Sequence, residues 1–267
     1  MSLLPSQLGF GVSGAHGTAL VPARETAALV QQAFAGGVRV FDTAPAYGAG
    51  EAEKRLGRAL RSLPRSEIFV TTKAGVTSTG LARRIRDFSP AAIERSVRAS
   101  LSRLGAGGVD GLILHGPAPD ELTPALLQRL EALRSAGAFK HLGVAGRDVE
   151  LDAALDTGRF ALLMAPAHPF IGEEARARLM KARSAGIAVM GIEAAGDGPA
   201  PLRWPRRPAD LYPALRALRH RQPPAPRAQM PGALADPLRE GLADCVVMTT
   251  IRRLHLEANI GALVRRD

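Results

Sequence analysis

Eight short β-branched or apolar runs recur along this chain, and amphipathic segments of helical length separate or follow them. This alternation is typical of repeated βα units, in which a helix returns the chain to the start of the next parallel strand. The predicted strands span residues 8–13, 38–43, 68–74, 109–115, 141–145, 161–165, 187–193 and 245–250. The predicted helices span residues 24–35, 51–60, 90–104, 124–136, 149–155, 173–185, 210–220 and 256–264.

Eight strands and eight helices in 267 residues predict a closed (β/α)8 TIM barrel rather than an open doubly wound sheet. An open sheet would carry a glycine-rich dinucleotide-binding turn after its first strand. The stretch from Gly9 to Gly14 fits that G-x-G-x-x-G pattern only in part. We therefore expect a single domain over residues 1–267. An irregular Pro/Arg-rich segment at about 197–240, which holds ten of the 20 prolines, would interrupt it.

The chain carries 35 basic and 25 acidic residues, a net charge of +10. Most of the arginines are dispersed, and aromatic residues make up only 4% of the chain, which argues against nucleic-acid binding. The exception lies at 199–227, where seven arginines predict either a solvated basic face or a site for an anionic ligand. The single cysteine, Cys245, excludes an intramolecular disulfide and any cysteine-built metal centre, and no metal site is expected.

The first ten residues lack the basic start and apolar core of a secretory signal, and no run of about 18 apolar residues follows. We expect a soluble, cytoplasmic protein with neither a membrane nor a nucleic acid as partner. A homo-oligomer is compatible with the sequence.

Four polar groups lie at or just beyond the ends of three early strands: Asp42, Tyr47, Lys73 and His115. A barrel directs such residues into one mouth, where the active sites of barrel enzymes lie. A phenol with a pKa near ~10 is a poor acid at neutral pH, but a neighbouring ammonium favours its ionised form. A carboxylate would hold the ammonium charged, and a neutral histidine could donate a hydrogen bond to a carbonyl oxygen. The set predicts acid catalysis on a carbonyl, with the electrons supplied from outside the protein.

The motifs around these residues resemble those of the aldo-keto reductases. The first motif is V-F-D-T-A-P-A-Y-G at residues 40–48, followed by Glu51 and by L-G-R-A-L at 56–60. The next two strands end in T-T-K (71–73) and L-I-L-H (112–115). The likeness extends almost to the end of the sequence through Gly143-Val144 and H-L-E-A-N-I (255–260). The resemblance implies a general acid/base at Tyr47, with Lys73 lowering its pKa, Asp42 pairing with Lys73 and His115 orienting the carbonyl.

The resemblance also implies a small-molecule carbonyl or alcohol as substrate. It further implies that NADPH or NADH binds across the barrel mouth without a Rossmann fold. The cofactor-binding residues expected from it are Gly11, Thr250, Arg252, Arg253 and Asn259. Arg252 or Arg253 could reach an adenosine 2′-phosphate, which favours NADPH over NADH.

Several positions depart from the family's pattern for holding the nicotinamide. Ala145 and Gly146 stand in place of a Ser-Asn pair, Met164 in place of a glutamine, and Ile192 in place of a stacking aromatic residue. Two alternatives therefore stay open. One is a non-catalytic binding or regulatory relative with weakened cofactor binding, and the other is a barrel enzyme that uses Lys73 as a Schiff-base nucleophile.

Overall fold

A computed structural model describes residues 3–79, 83–196, 208–212 and 232–264, and eight parallel strands in it close into a barrel. The strands of the barrel are β1 (Leu8–Gly11), β2 (Val40–Asp42), β3 (Phe69–Ala74), β6 (Val109–His115), β7 (Phe139–Ala145), β8 (Leu162–Pro166), β9 (Ala188–Ile192) and β10 (Cys245–Met248). They follow one another around the barrel in chain order, and β1 pairs with both β2 and β10. The predicted (β/α)8 TIM barrel is confirmed.

Helices follow the strands and cover the outside of the barrel. They are α1 (Ala23–Ala35), α2 (Glu51–Leu60), α3 (Pro90–Leu104), α4 (Pro124–Ser135), α5 (Asp148–Asp156), α6 (Glu173–Ser184), α7 (Asp236–Arg239) and α8 (Arg253–Val264). The sequence signals for the helix ends operate as expected. The Ser89 hydroxyl accepts a hydrogen bond from the Ala92 backbone N–H at the start of α3, and Gly105 ends that helix at φ 64°.

Two elements were not predicted. The strands β4 (Val76–Thr79) and β5 (Arg83–Arg86) pair antiparallel as the two arms of a hairpin, and the short helix α7 lies in the stretch expected to be irregular. Pro237 stands in the first turn of α7, where a backbone N–H would have no acceptor within the helix, so the missing N–H of proline costs no hydrogen bond. Residues 213–220 of the predicted helix at 210–220, and most of the Pro/Arg-rich segment, lie outside the described residues. Among the residues described, no helix is long and apolar enough to cross a membrane.

The core has two parts because alternate residues of a strand point to opposite sides. Phe10, Phe41, Leu112 and Leu163 belong to the larger cluster, which packs the strands against the helices. A second cluster fills the barrel interior and includes Val40, Phe69, Ile113, Leu162 and Met190. Two residues further along their strands, Asp42 and His115 point to the same side as Val40 and Ile113. The interior is therefore apolar below and polar at the carboxyl ends of the strands.

Candidate active site

A buried ion pair joins the ends of β2 and β3. The Lys73 ammonium donates to Asp42 Oδ2 at 2.5 Å and to the Thr43 carbonyl at 3.1 Å, and the Thr71 hydroxyl donates to Asp42 Oδ1 at 2.7 Å. The side chains of Lys73 and Asp42 are only 2% and 6% exposed. Thr72 lies between Thr71 and Lys73 and points to the opposite side of β3. Its hydroxyl donates to the buried Glu53 carboxylate of α2 at 2.6 Å. Alternation along β3 thus places the ammonium inside the barrel mouth.

The environment of Lys73 keeps its amine charged. Burial alone would lower the pKa of Lys73, but the Asp42 carboxylate and the Tyr47 phenol outweigh this effect and raise that pKa above its ordinary value of 10.5. An ammonium in this setting is a fixed positive charge rather than a free amine nucleophile. This property disfavours the Schiff-base alternative, which requires a neutral amine.

A tightly packed loop after β2 carries Tyr47. The Lys73 ammonium lies 5.2 Å from the centroid of the Tyr47 ring. Gly48 has φ 62°, and a Cβ atom at this position would lie only 2.0 Å from the Gly17 carbonyl oxygen. On the other side, the Ser78 hydroxyl of the hairpin donates to the Ala46 carbonyl and accepts from the Ala49 backbone N–H, each at 3.1 Å. The loop is therefore held from two directions with the phenol beside the ammonium.

His115, the last residue of β6, completes the predicted group. Its ring meets the Tyr47 ring edge to face, with centroids 6.5 Å apart. The buried Nδ1 atom has no hydrogen-bond partner among the described residues. Burial, together with the positive charges of Lys73, Arg84 and Arg86, lowers the pKa of His115 from 6.5 to about 3. The imidazole is accordingly neutral at physiological pH, the form in which it can donate one N–H to a substrate oxygen.

His115 and the fully buried His16 should together lower the free energy of unfolding as the pH falls through the mildly acidic range. Burial lowers the pKa of His16 to about 4, although its hydrogen bond with the Thr250 carbonyl opposes the shift. Both folded-state values lie below 6.5, so the unfolded chain takes up protons first as the pH falls. We expect the free energy of unfolding to drop by about 1 to 2 kcal/mol per histidine between about pH 7 and 5. Urea denaturation across this range measures the effect.

Replacing His115 with glutamine should remove about half of that pH-dependent loss. The matched comparison is His16→Gln, which should remove the remaining part of the loss, because the pKa of His16 is also lowered by burial. An equal slope in the wild type and His115→Gln would show that His115 titrates normally in the folded protein.

The hairpin β4–β5 brings two arginines to the rim near His115, and neither was singled out in the sequence. Arg86 forms a two-pronged ion pair with Glu121, with its Nε atom 3.1 Å from Glu121 Oε1, and its guanidinium lies over the Phe88 ring. Arg84 is exposed and has no hydrogen bond or ion pair with any described residue. The β-branched residues Val76, Thr77 and Thr79 were the available sequence signal for this hairpin.

The ends of β7, β8 and β9 present mainly apolar side chains to the mouth. Ala145 and Met164 are buried, and Ile192 is partly buried. A Cβ atom on Gly146 would lie 2.6 Å from the Glu150 carboxylate, so this carboxylate occupies the space that a side chain at position 146 would need. The departures from the family pattern at Ala145, Gly146, Met164 and Ile192 thus leave this side of the mouth lined by apolar groups.

An ion pair spans the rim above these apolar ends. Arg147 lies just beyond β7 and Glu193 just beyond β9, and their side chains approach to 2.5 Å. Glu193 adopts φ 56°, a backbone conformation that residues other than glycine rarely occupy. His168, which follows β8, is buried, and its Nδ1 atom accepts a hydrogen bond from the Phe170 backbone N–H at 3.2 Å.

The predicted cofactor residues gather at the ends of β1 and β10. The Thr249 hydroxyl donates to the Gly11 carbonyl at 3.0 Å, and the Thr250 hydroxyl accepts from the Arg252 backbone N–H at 3.2 Å. Arg252 pairs with Asp210 at 2.7 Å, whereas Arg253 is exposed. The buried Asn259 amide lies 3.0 Å from Met248 Sδ. Gly11, Thr250, Arg252, Arg253 and Asn259 thus lie on β1, on the loop after β10 and on α8.

These residues fit a nicotinamide dinucleotide at two of three points. The unpartnered His115 nitrogen and the Tyr47–Lys73 pair suit the reacting end, and the exposed Arg253 offers a cation for the adenosine end. Between them, Ala145, Met164 and Ile192 lack N–H or O–H groups for a carboxamide. The fit is sufficient for the dinucleotide but leaves its amide with fewer side-chain partners than the family pattern provides.

Comparisons with known proteins identify the family of this chain and its structural neighbours. The model of the family described as "Aldo/keto reductase family" matches residues 7–199, more than half of the chain. The D-threo-aldose 1-dehydrogenase of Pseudomonas sp is 35% identical over 175 residues, which cover 54% of this chain and 53% of that protein. The NADH-specific methylglyoxal reductase of Escherichia coli (strain K12) is 32% identical over 126 residues, covering 43% and 39%.

The chain spans about half or less of the length of these curated relatives. Among solved structures, the holo form of an aldo-keto reductase from Bacillus halodurans superposes with a TM-score of 0.74 at 22% identity. That superposition covers 97% of this chain and 86% of the other. At this identity, the likeness concerns the fold alone.

Proposed function

The chain belongs to the aldo/keto reductase family, and we propose that it is a nicotinamide-dependent enzyme that reduces an aldehyde or ketone to an alcohol, or catalyses the reverse oxidation, with Tyr47 as general acid and base. The observation that carries the proposal is the Lys73–Asp42 ion pair beneath the Tyr47 ring, with the unpartnered nitrogen of His115 alongside. Proton donor, charge stabiliser and carbonyl-orienting group thus share one barrel mouth.

In this mechanism the nicotinamide dinucleotide supplies the hydride when it is bound. His115, neutral at physiological pH, donates a hydrogen bond to the carbonyl oxygen and stabilises the negative charge that develops there. Tyr47 gives its hydroxyl proton to this oxygen, so that the product is the neutral alcohol. The phenolate left on Tyr47 is stabilised by the Lys73 ammonium, which Asp42 holds in place. In the oxidation direction, the same phenolate accepts the proton.

We further propose that NADPH is preferred to NADH and that Gly11, Thr250 and Asn259 line the cofactor site. Arg253 is the cation available to a 2′-phosphate, because Arg252 already pairs with Asp210. One relative is named an NADH-specific reductase, so the preference has to be measured in this chain. Lacking polar side chains at Ala145 and Met164, the site should hold the nicotinamide end more weakly than the adenosine end.

Fluorescence titration with NADPH and NADH tests the cofactor requirement directly. We expect saturable binding of both, tighter for NADPH, and a weaker NADPH affinity in Arg253→Gln with the NADH affinity unchanged. If neither dinucleotide binds saturably, the non-catalytic alternative is favoured. The Schiff-base alternative has its own test, since borohydride treatment with an aldehyde would then leave a stable adduct on Lys73.

A further inference from the structure

Resting on the proposed function, we infer that the β4–β5 hairpin is a substrate-recognition element in which Arg84 binds an anionic group, a carboxylate or a phosphate, on the carbonyl substrate. The inference specifies the substrate class of the same barrel mouth.

The hairpin is part of the site by connection and by contact. β4 begins three residues after Lys73, and the Ser78 hydroxyl bonds with the Ala46 and Ala49 backbone on either side of Tyr47. Ser78 is directly opposite Arg84 in the antiparallel register. Directly opposite residues of an antiparallel pair point to the same face, with Cβ atoms about 4.5–5.5 Å apart. The Arg84 side chain therefore starts from the hairpin face that meets the Tyr47 loop.

Among the cations near His115, Arg84 is the one with unused binding capacity. The charges that act on His115 are those of Lys73, Arg84 and Arg86. Lys73 is paired with Asp42, and Arg86 is paired with Glu121. Arg84 is exposed and pairs with no residue in the described ranges.

Arginine is suited to this task because its planar guanidinium offers several N–H donors in a fork that matches a carboxylate or a phosphate. The neighbouring Arg86 pairs with Glu121, so this carboxylate does not neutralise Arg84. A substrate whose anionic group lies a few atoms from its carbonyl could contact Arg84 while its oxygen approaches Tyr47 and His115. A neutral carbonyl compound would gain nothing from this arginine.

Matched substrate pairs test the inference. The pairs are benzaldehyde with 4-carboxybenzaldehyde, for a carboxylate, and glyceraldehyde with glyceraldehyde 3-phosphate, for a phosphate. We expect the wild type to favour the anionic member of at least one pair in kcat/KM. Arg84→Gln should lose about tenfold for that member, mainly through KM, with less than a twofold change for the neutral member. The pair that responds identifies the anionic group.

Two variants separate recognition from folding. Arg84→Lys keeps the charge and should retain part of the preference, whereas Arg58→Gln should leave it unchanged. Arg58 is the matched control because it is exposed on α2 and, within the described ranges, likewise has no ion pair. Equal losses for both members of a pair, or an Arg84→Gln variant with wild-type preference, would overturn the inference while leaving the proposed function intact.

A binding measurement covers the case in which no substrate is turned over. Calorimetric titration measures the affinity of the protein for 4-carboxybenzaldehyde or glyceraldehyde 3-phosphate, with and without NADP⁺. This affinity does not depend on the redox step. Weaker binding in Arg84→Gln than in the wild type would support the site even if the proposed redox function fails. Equal binding in the two proteins, or none in the wild type, would overturn it.

Discussion

Replacing Tyr47 with phenylalanine is expected to lower kcat by about 10²- to 10⁴-fold, the usual contribution of a positioned general acid. The variant loses only the hydroxyl, and the ring can keep its place above Lys73 and against His115. Cofactor affinity, measured by fluorescence titration, should therefore change little. Steady-state reduction of an aldehyde, followed by the consumption of NADPH, measures the loss of turnover.

Tyr212 provides the matched control because the chain contains only two tyrosines. Its ring packs against Gly14, beyond the end of β1, rather than beside Lys73. Tyr212→Phe should keep kcat close to the wild-type value. The general-acid role of Tyr47 would be refuted if both variants retained full turnover.

Replacing Lys73 with methionine is expected to be the most destabilising of the substitutions considered. It leaves the Asp42 carboxylate buried with the Thr71 hydroxyl as its remaining side-chain donor. Removing one partner of a buried ion pair typically costs about 3–5 kcal/mol, because the other charge stays out of water. We expect a loss of this size in the free energy of unfolding, measured by urea denaturation, together with a large fall in turnover.

The contribution of the Lys73–Asp42 pair to stability also depends on pH. The folded-state pKa of Lys73 is raised above 10.5, so its contribution to stability is present below that pH and is lost as the pH rises through the folded-state value. Wild-type stability should therefore decrease in strongly alkaline solution through this group.

A double variant and an exposed pair serve as controls. Asp42→Asn combined with Lys73→Met should cost less than the sum of the two single substitutions, because it leaves no unpaired buried charge. Arg98→Met removes the cation of the exposed Arg98–Glu94 pair and should cost far less than Lys73→Met, because water screens this pair. Similar losses in Lys73→Met and Arg98→Met would contradict the view that burial makes the Lys73–Asp42 pair energetically distinct.

Prediction from sequence succeeded where the signal was local. Helix caps such as Ser89 and Gly105 and alternating apolar residues are encoded within a few positions, and they located the barrel strands and most of the helices. Asp42, Lys73 and His115 could be grouped because parallel strands in a barrel end at one mouth. Their convergence followed from the fold class and required no distance information.

The remaining features depend on contacts between distant segments. Arg252 was one of the two arginines expected to reach a 2′-phosphate, but its pairing with Asp210, 42 positions away, is visible only in three dimensions. His16 gave no signal in the sequence, yet it is buried between Thr26 and the Thr250 carbonyl. The Arg86–Glu121 pair depends on a hairpin and on a turn after β6 that meet only at the barrel rim.

By itself, the sequence determined the eight-fold βα repeat and the four polar groups at its strand ends, because residue spacing sets which side of a strand or helix each side chain occupies. Only the tertiary structure decided which charges at the mouth are neutralised and which stay available. That outcome depends on how loops from separate βα units pack against one another. No local pattern encodes that packing, and it is the reason that Arg86 and Arg252 are paired whereas Arg84 has no ion pair with any described residue.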